Sequence, residues 1–240
     1  MTTHKVHYTQ VDSVALLTMD DGKANSIETT FLSEWHAALD RAEVEAKAVV
    51  IAGREGFFSA GLDLKVLPTL SPESLKEFII AYGRAMFRLW LHPAPVVAAV
   101  TGHMIAGGAI IGLCCDRRIG KDGLYRVGMN EVAIGLPLPG FAWEIAAHSL
   151  LTNARTEALL FGKIYEPAQA VKIGYLDRLV SADQVVNEAM KEAHELGSLP
   201  AHALAQTKKL IRGPLVARAR EQEAAILDGF FKEGPFAIRS

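Results

Sequence analysis

Residues 95–116 read PVVAAVTGHMIAGGAIIGLCCD. Pro95 to Val100 is a continuous apolar run, the pattern of a strand buried on both faces. Thr101, Gly102 and His103, and then Gly107-Gly108, interrupt the apolar region that ends at Cys115. The pattern predicts a strand, a loop and a buried helix. AVVIA, Ala48 to Ala52, is a second run of the same kind, again followed by a Gly-containing loop. Upstream, VALLTM (Val14 to Met19) reads as a strand and Asp20 to Ala24 as a polar turn. Phe31, Leu32, Trp35, Ala38, Leu39 and Ala42 then recur at helical spacing. Buried strands each followed by a loop and a helix predict an α/β fold with mainly parallel strands.

The character changes near Val180. Val185, Val186, Ala189, Met190, Ala193 and Leu196 mark an amphipathic helix that stops at Gly197. A second helix is expected over about Ala201 to Ile211. A third is expected from about Pro214, carrying Leu215, Ala219, Ile226, Leu227, Phe230 and Phe231. The chain therefore divides into a core, residues 1–180, and an all-helical region, residues 181–240. The helical region holds no cluster suited to catalysis, so packing or assembly is its expected task.

Composition bounds the function. The 240 residues are enough for a sizeable core without staples. The net charge of −2 supplies no basic field for nucleic acid. The two cysteines, Cys114 and Cys115, are adjacent, a poor geometry for a structural disulfide, and read as reduced core thiols. The N-terminal stretch MTTHKVHYTQVDSVALL lacks the pattern of a secretory signal. No apolar run approaches the ~20 residues that span a bilayer. A cytoplasmic protein, bound neither to membrane nor to nucleic acid, is expected.

Familiar chemistries fall away. HExxH, paired Cys/His zinc spacing, GxxxxGK[ST] and GxGxxG are all missing. FFSAG (Phe57 to Gly61) has Phe where GxSxG has its first Gly, so Ser59 is not read as a nucleophile. Three segments remain. FFSAGLDL, Phe57 to Leu64, lets a ligand approach the main chain past small side chains. Gly107-Gly108 opens a helix whose free amides suit a developing anion. VGMNEVAIGLPLPG, Val127 to Gly140, holds one carboxylate, Glu131, among Val127, Met129, Val132, Ala133 and Ile134. Such surroundings raise a carboxyl pKa toward the range useful for proton transfer. Each segment alone also reads as an ordinary loop, helix start or surface glutamate.

Together, in this order and spacing, the three segments resemble the crotonase family of enoyl-CoA hydratases and isomerases over nearly the whole chain. The resemblance implies a spiral of β-β-α units followed by a helical trimerisation region, giving a homotrimer or hexamer. It implies that the amides of Leu62 and Gly107 bind a thioester oxygen and that Glu131 moves the proton. It implies an acyl-CoA channel along Ala60, Gly61, Asp63 and Leu64, with Ala24 and Gly108 as further substrate contacts. Because the net charge is near neutral, CoA phosphate binding must be local, and Lys23, in the loop before the first helix, is the candidate. Asp63 also reads as a structural carboxylate bonding loop amides, and His103 is the other polar side chain near the site. The CoA thioester is the substrate, and neither metal nor redox cofactor is implied. Hydratases of this family generally place a second glutamate where this chain has Ile110. The single carboxylate, with SAGLDL and MNE, is most similar to the 3-enoyl-CoA isomerases. A hydratase, a thioester hydrolase, a C–C lyase and a non-catalytic acyl-CoA-binding protein are the alternatives.

Overall fold

A computed structural model describes residues 4–233, with side chains described as far as Glu221 apart from that of Pro68. Strands β1 (Val6–Val11) and β2 (Val14–Met19) form an antiparallel hairpin. The short β3 (Ser26–Ile27) and helix α1 (Thr29–Glu45) follow. The next unit is β4 (Ala48–Gly53), β5 (Gly56–Ser59), β6 (Gly61–Leu62) and α2 (Pro72–Trp90). Then come β7 (Val96–Val100), β8 (Gly102–Ile105) and α3 (Gly107–Cys114). After β9 (Arg117–Lys121) and β10 (Val127–Gly128) lie α4 (Gly140–Ser149) and α5 (Pro167–Ile173). The chain continues through β11 (Arg178–Val180), α6 (Val185–Leu196) and α7 (Ala201–Glu233).

The long strands build a six-stranded sheet in the order β1-β2-β4-β7-β9-β11, parallel from β2 onward. The short strands build a second sheet, β10-β8-β5, also parallel. From β4 onward each turn of the chain thus lays one strand in each sheet and returns through a helix, which is the β-β-α spiral; β3 of the first turn pairs instead with β6 in a two-stranded sheet. The segment expected to be a loop between β7 and the buried helix is strand β8. Four residues containing Gly102 and His103 carry no strand periodicity. What makes them a strand is pairing on both sides, with β5 and with β10. The Phe57-Phe58-Ser59 segment, also expected as a loop, is likewise the strand β5.

The main core lies between the large sheet and α1 to α4, with Trp35, Trp90, Tyr82, Phe31 and Phe58 among its fully buried side chains. Cys114 and Cys115 are free buried thiols whose Sγ atoms donate to the carbonyls of Met86 and Ile111. A smaller core covers the other face, where Val185, Ala189 and Ala193 of α6 lie on Val14, Ala48, Val50, Ala52, Val97, Ala99 and Ile119. The apolar stripe of α6 is therefore covered within the chain. Leu199, Leu210 and Ile211 stay exposed further along.

The two helices expected over 201–211 and from Pro214 run as one, α7, with Pro214 inside it. An interior proline removes one backbone hydrogen bond and presses on the preceding turn. Here the helix is tied down on both sides of it. Before Pro214, Lys208 and Arg212 both pair with Asp116, whose carboxylate also accepts the Val96 amide. Lys208 Nζ donates in addition to the carbonyls of His92 and Ala94. After it, Val216 and Ala219 enter the main core and Arg218 pairs with buried Glu144. The side chains of Ile226, Leu227, Phe230 and Phe231 lie outside the described residues.

Removing Asp116 leaves the buried Lys208 ammonium and the Arg212 guanidinium without their shared anion, and an uncompensated buried charge costs about 3–5 kcal/mol. Asp116→Ala is therefore expected to lower the urea-unfolding free energy by that amount. A loss below about 1 kcal/mol would show that the ion pairs contribute as little as surface ones do.

Candidate active site

The site forms where successive turns of the spiral touch. A Cβ on Gly61 would stand 2.6 Å from the Gly107 nitrogen, and one on Gly107 would stand 3.1 Å from the Gly61 Cα. Gly61 itself has φ of +86°. A backbone approaches another this closely only where the residue facing it carries no side chain. Gly108 does the same against Ser59, where a Cβ would overlap the carbonyl oxygen.

Beside this contact lie the Leu62 and Gly107 amides, to which their own elements offer no acceptor. β6 pairs with β3 with Ile27 opposite Leu62, and the Asp63 amide donates to the Ile27 carbonyl at 3.2 Å. In a parallel ladder a residue bonds to the two that flank its partner, so the Leu62 amide points off the ladder. Gly107 is the first residue of α3, where amides have no acceptor inside the helix. Its N-cap, Ala106, offers no side-chain cap and sits at φ +49°, ψ −120°, a region costly for alanine.

A polar tie holds the first of these segments. The buried Asn25 Nδ2 donates to the carbonyls of Met19, Phe57 and Phe58, and Asn25 Oδ1 accepts from the Asp21 amide. Ser59 Oγ donates to the Asn25 carbonyl at 2.7 Å and accepts from the Gly61 amide at 3.1 Å. Ser59 is thus fully buried and structural, in line with its rejection as a nucleophile.

Glu131 follows β10, whose register is set by β8 and by the Val127–Tyr165 bridge. The Met129 amide donates to the buried Tyr175 hydroxyl, and the Glu131 carbonyl accepts from Leu136. The Glu131 side chain is 8% exposed, and its Oε2 has no hydrogen-bond partner among the described residues. Burial pushes its pKa up from 4.5 to about 7. Asn130 Oδ1 beside it is also buried and unpartnered.

These pieces face a common cavity of about 170 Å³. Of the residues singled out in the sequence, Ala60, Leu62, Leu64, Gly107, Ile110 and Glu131 line it. Gly61 and Gly108 do not; they are the spacers that let the walls meet. Asp63 also lies outside the lining, and its Oδ1 caps the next turn through the Lys65 amide. Lys23 and Ala24 lie outside it as well. Lys23 is exposed, and the Ala24 carbonyl accepts from Ala60. His103 is outside the lining too, its ring tilted against Phe57 with centroids 5.2 Å apart and its Nδ1 accepting from the Arg126 amide. Sequence reasoning missed Ile79 and Tyr82 of α2, and it gave no role to Asn130, Leu136, Pro137 and Pro139 within the Glu131 segment. For α2 a signal existed: Ser71-Pro72 opens a run in which Leu75, Phe78, Ile79 and Tyr82 repeat at helical spacing. Among the described residues no group of three His, Cys, Asp or Glu side chains could hold a metal, and no helix is long and apolar enough to cross a membrane.

The family profile described as enoyl-CoA hydratase/isomerase matches residues 9–234. The chain belongs to this enoyl-CoA hydratase/isomerase, or crotonase, family. It is 28% identical to the rat mitochondrial enoyl-CoA delta isomerase 1 over 90% of its own length and 76% of the relative's. A putative enoyl-CoA hydratase of Thermus thermophilus is 32% identical over 72% of this chain and 70% of its own. A Mycobacterium tuberculosis protein, described in one structure as an enoyl-CoA isomerase and in another as a probable enoyl-CoA hydratase, superposes in its apo form with a TM-score of 0.87 at 34% identity, covering 96% of this chain and 99% of that one. This crotonase-family chain is an enzyme of enoyl-CoA chemistry, and its family acts on CoA thioesters.

Burial of Glu131 has a consequence for stability. Its carboxyl would titrate near 4.5 when unfolded and does so near 7 when folded. Below pH 4.5 both states are protonated and nothing is lost. Between pH 4.5 and about 7 the unfolded carboxyl ionises while the folded one keeps its proton, so stability falls across that window and levels off above it; a gap of about 2.5 pH units corresponds to on the order of 3 kcal/mol. Glu131→Gln should therefore match the parent near pH 4.5 and exceed it in unfolding free energy by up to that amount at pH 8. Urea titrations at the two pH values measure this, and a difference that does not grow with pH would contradict it.

Proposed function

We propose that this chain is an enoyl-CoA isomerase that shifts a 3-double bond to the trans-2 position. The observation that carries the reading is the cavity lining. Among the described residues that line it Glu131 is the one carboxylate, and Ile110, 2% exposed, forms wall where a hydratase would present a second. Adding water calls for two groups that hold and activate it. Moving a proton from C2 to C4 calls for one base that takes up and returns the same proton. Glu131 removes the C2 proton, and the electron pair moves onto the thioester oxygen as an enolate. The amides of Leu62 and Gly107 hold that oxygen, a contribution that typically reaches roughly a hundred- to a thousandfold per donor. Protonated Glu131 then delivers the proton to C4 as the double bond reforms between C2 and C3.

Hydration is the second reading. Asn130 Oδ1 and Glu131 Oε2, both buried and unpartnered at the same cavity, would accept from a water. Comparing rates in the parent enzyme separates the two. Isomerisation of 3-hexenoyl-CoA should far outrun hydration of crotonyl-CoA; comparable rates would overturn the isomerase reading. Glu131→Gln should cut isomerase turnover by about a thousandfold while acyl-CoA affinity stays within about tenfold. The base must be ionised to act, so kcat/KM should fall about tenfold per pH unit below about 7 and level off above it.

The same proposal extends to assembly as a homotrimer or hexamer, joined partly through residues after about Val180. Its support is the exposed apolar side chains of Leu199, Leu210 and Ile211, the second of them 76% exposed. Sedimentation at micromolar concentration should show the oligomer, and a monomer there would remove the assembly proposal.

A further inference from the structure

We propose that Tyr82 is a positioning residue that sets the angle of the Gly107 end of the oxyanion hole. The proposal rests on the reading of the Leu62 and Gly107 amides given above. Tyr82 lies on α2, 25 residues before Gly107, and its ring lines the cavity. Its hydroxyl is fully enclosed and donates to the Gly107 carbonyl at 3.1 Å. The contact is tight, since a Cβ on Gly107 would stand 2.9 Å from that same hydroxyl oxygen.

Gly107 needs such a tie. The residue before it, Ala106, is held at φ +49°, and a strained backbone persists only where its surroundings over-determine it. The Ala106 amide is anchored on the Gly128 carbonyl, and the Ala106 carbonyl accepts the Ile110 amide. Both bonds hold the Ala106 side of the peptide whose N–H is the proposed donor. The Tyr82 bond is on the other side, at the Gly107 carbonyl, and Gly61 packs beneath. The ring itself is braced by Phe141 of α4, edge to face with centroids 5.3 Å apart. The hydroxyl that fixes Gly107 is thus fixed by a helix from the following turn of the spiral. With its proton committed to Gly107, Tyr82 has none to give to substrate. That distinguishes it from a proton-transfer group.

Tyr82→Phe keeps the ring and its contact with Phe141 and deletes only the hydrogen bond. The readout is the infrared thioester carbonyl band of bound butyryl-CoA carrying a 13C-labelled carbonyl. In the parent enzyme the bound band should move to lower frequency, because hydrogen-bond donors polarise the carbonyl. In Tyr82→Phe at least half of that shift should disappear. The kcat for 3-hexenoyl-CoA should fall about tenfold, the effect of about 1.4 kcal/mol on the barrier, with KM within about twofold. An unshifted band in the parent would sink the oxyanion-hole reading itself. A parent-like band and kcat in Tyr82→Phe would sink only the role of Tyr82. So would a fall in affinity and melting temperature that accompanies kcat while the band stays in place. Phe141→Leu is a second arm that keeps the hydroxyl but frees the ring. A smaller loss of band shift is expected there, and none at all would count against the bracing argument.

Discussion

The structure depends on backbone meeting backbone between successive turns of the spiral. Gly61 against Gly107, Gly108 against Ser59, and Gly102 against Gly56 are places where any Cβ would push the turns apart. Closed at these points, the short strands β5 and β8 pair and the second sheet exists. Opened, α3 would move off β6, and the two amides proposed to hold the thioester oxygen would separate. The polar tie from Asn25 through Ser59 to the Gly61 amide acts at the same seam, replacing with three carbonyl contacts what side-chain packing cannot supply there. Packing and proposed chemistry are therefore one feature of this fold.

The same closeness gives Glu131 its character. A carboxylate set in a cavity walled by Ile79, Ile110, Ile134 and Leu136 loses the water that would stabilise its charge, and its affinity for a proton rises. A group poised near neutrality suits reversible proton transfer, and the charged form weakens the folded state. Much of the rest of the interior is conventional by contrast. The buried Lys208 and Glu144 have ionic partners, Asp116 and Arg218. Glu131 Oε2 has none among the described residues.

The helical tail is bound more closely to the core than its sequence suggests. α6 seals the second face of the large sheet with Val185, Ala189 and Ala193, and fully buried alanines let the helix lie close to the strands. α7 passes through Pro214 because charge pairs on one side and core contacts on the other hold it in line. The change of character at Val180 is a change of element type within a shared hydrophobic interior.

Periodicity and composition were enough to establish the buried parallel strands Ala48–Gly53 and Val96–Val100, helices α1 and α6 and the α/β class, because these depend on local patterns of apolar residues, whereas Glu131 became the candidate carboxylate only through the family resemblance. The three ordered segments were enough to indicate the family. Strand β8, the single long α7 and the roles of Gly61 and Gly108 as spacers were decided by tertiary contacts, since each depends on residues far away in the chain. So was the convergence of α2 on the site. Tyr82 carries no motif, and it reaches Gly107 only because the spiral stacks one turn on the next. Sequence spacing records which side chains share an element; which elements share a wall follows from how the turns close, and that is set by the places where no side chain intervenes.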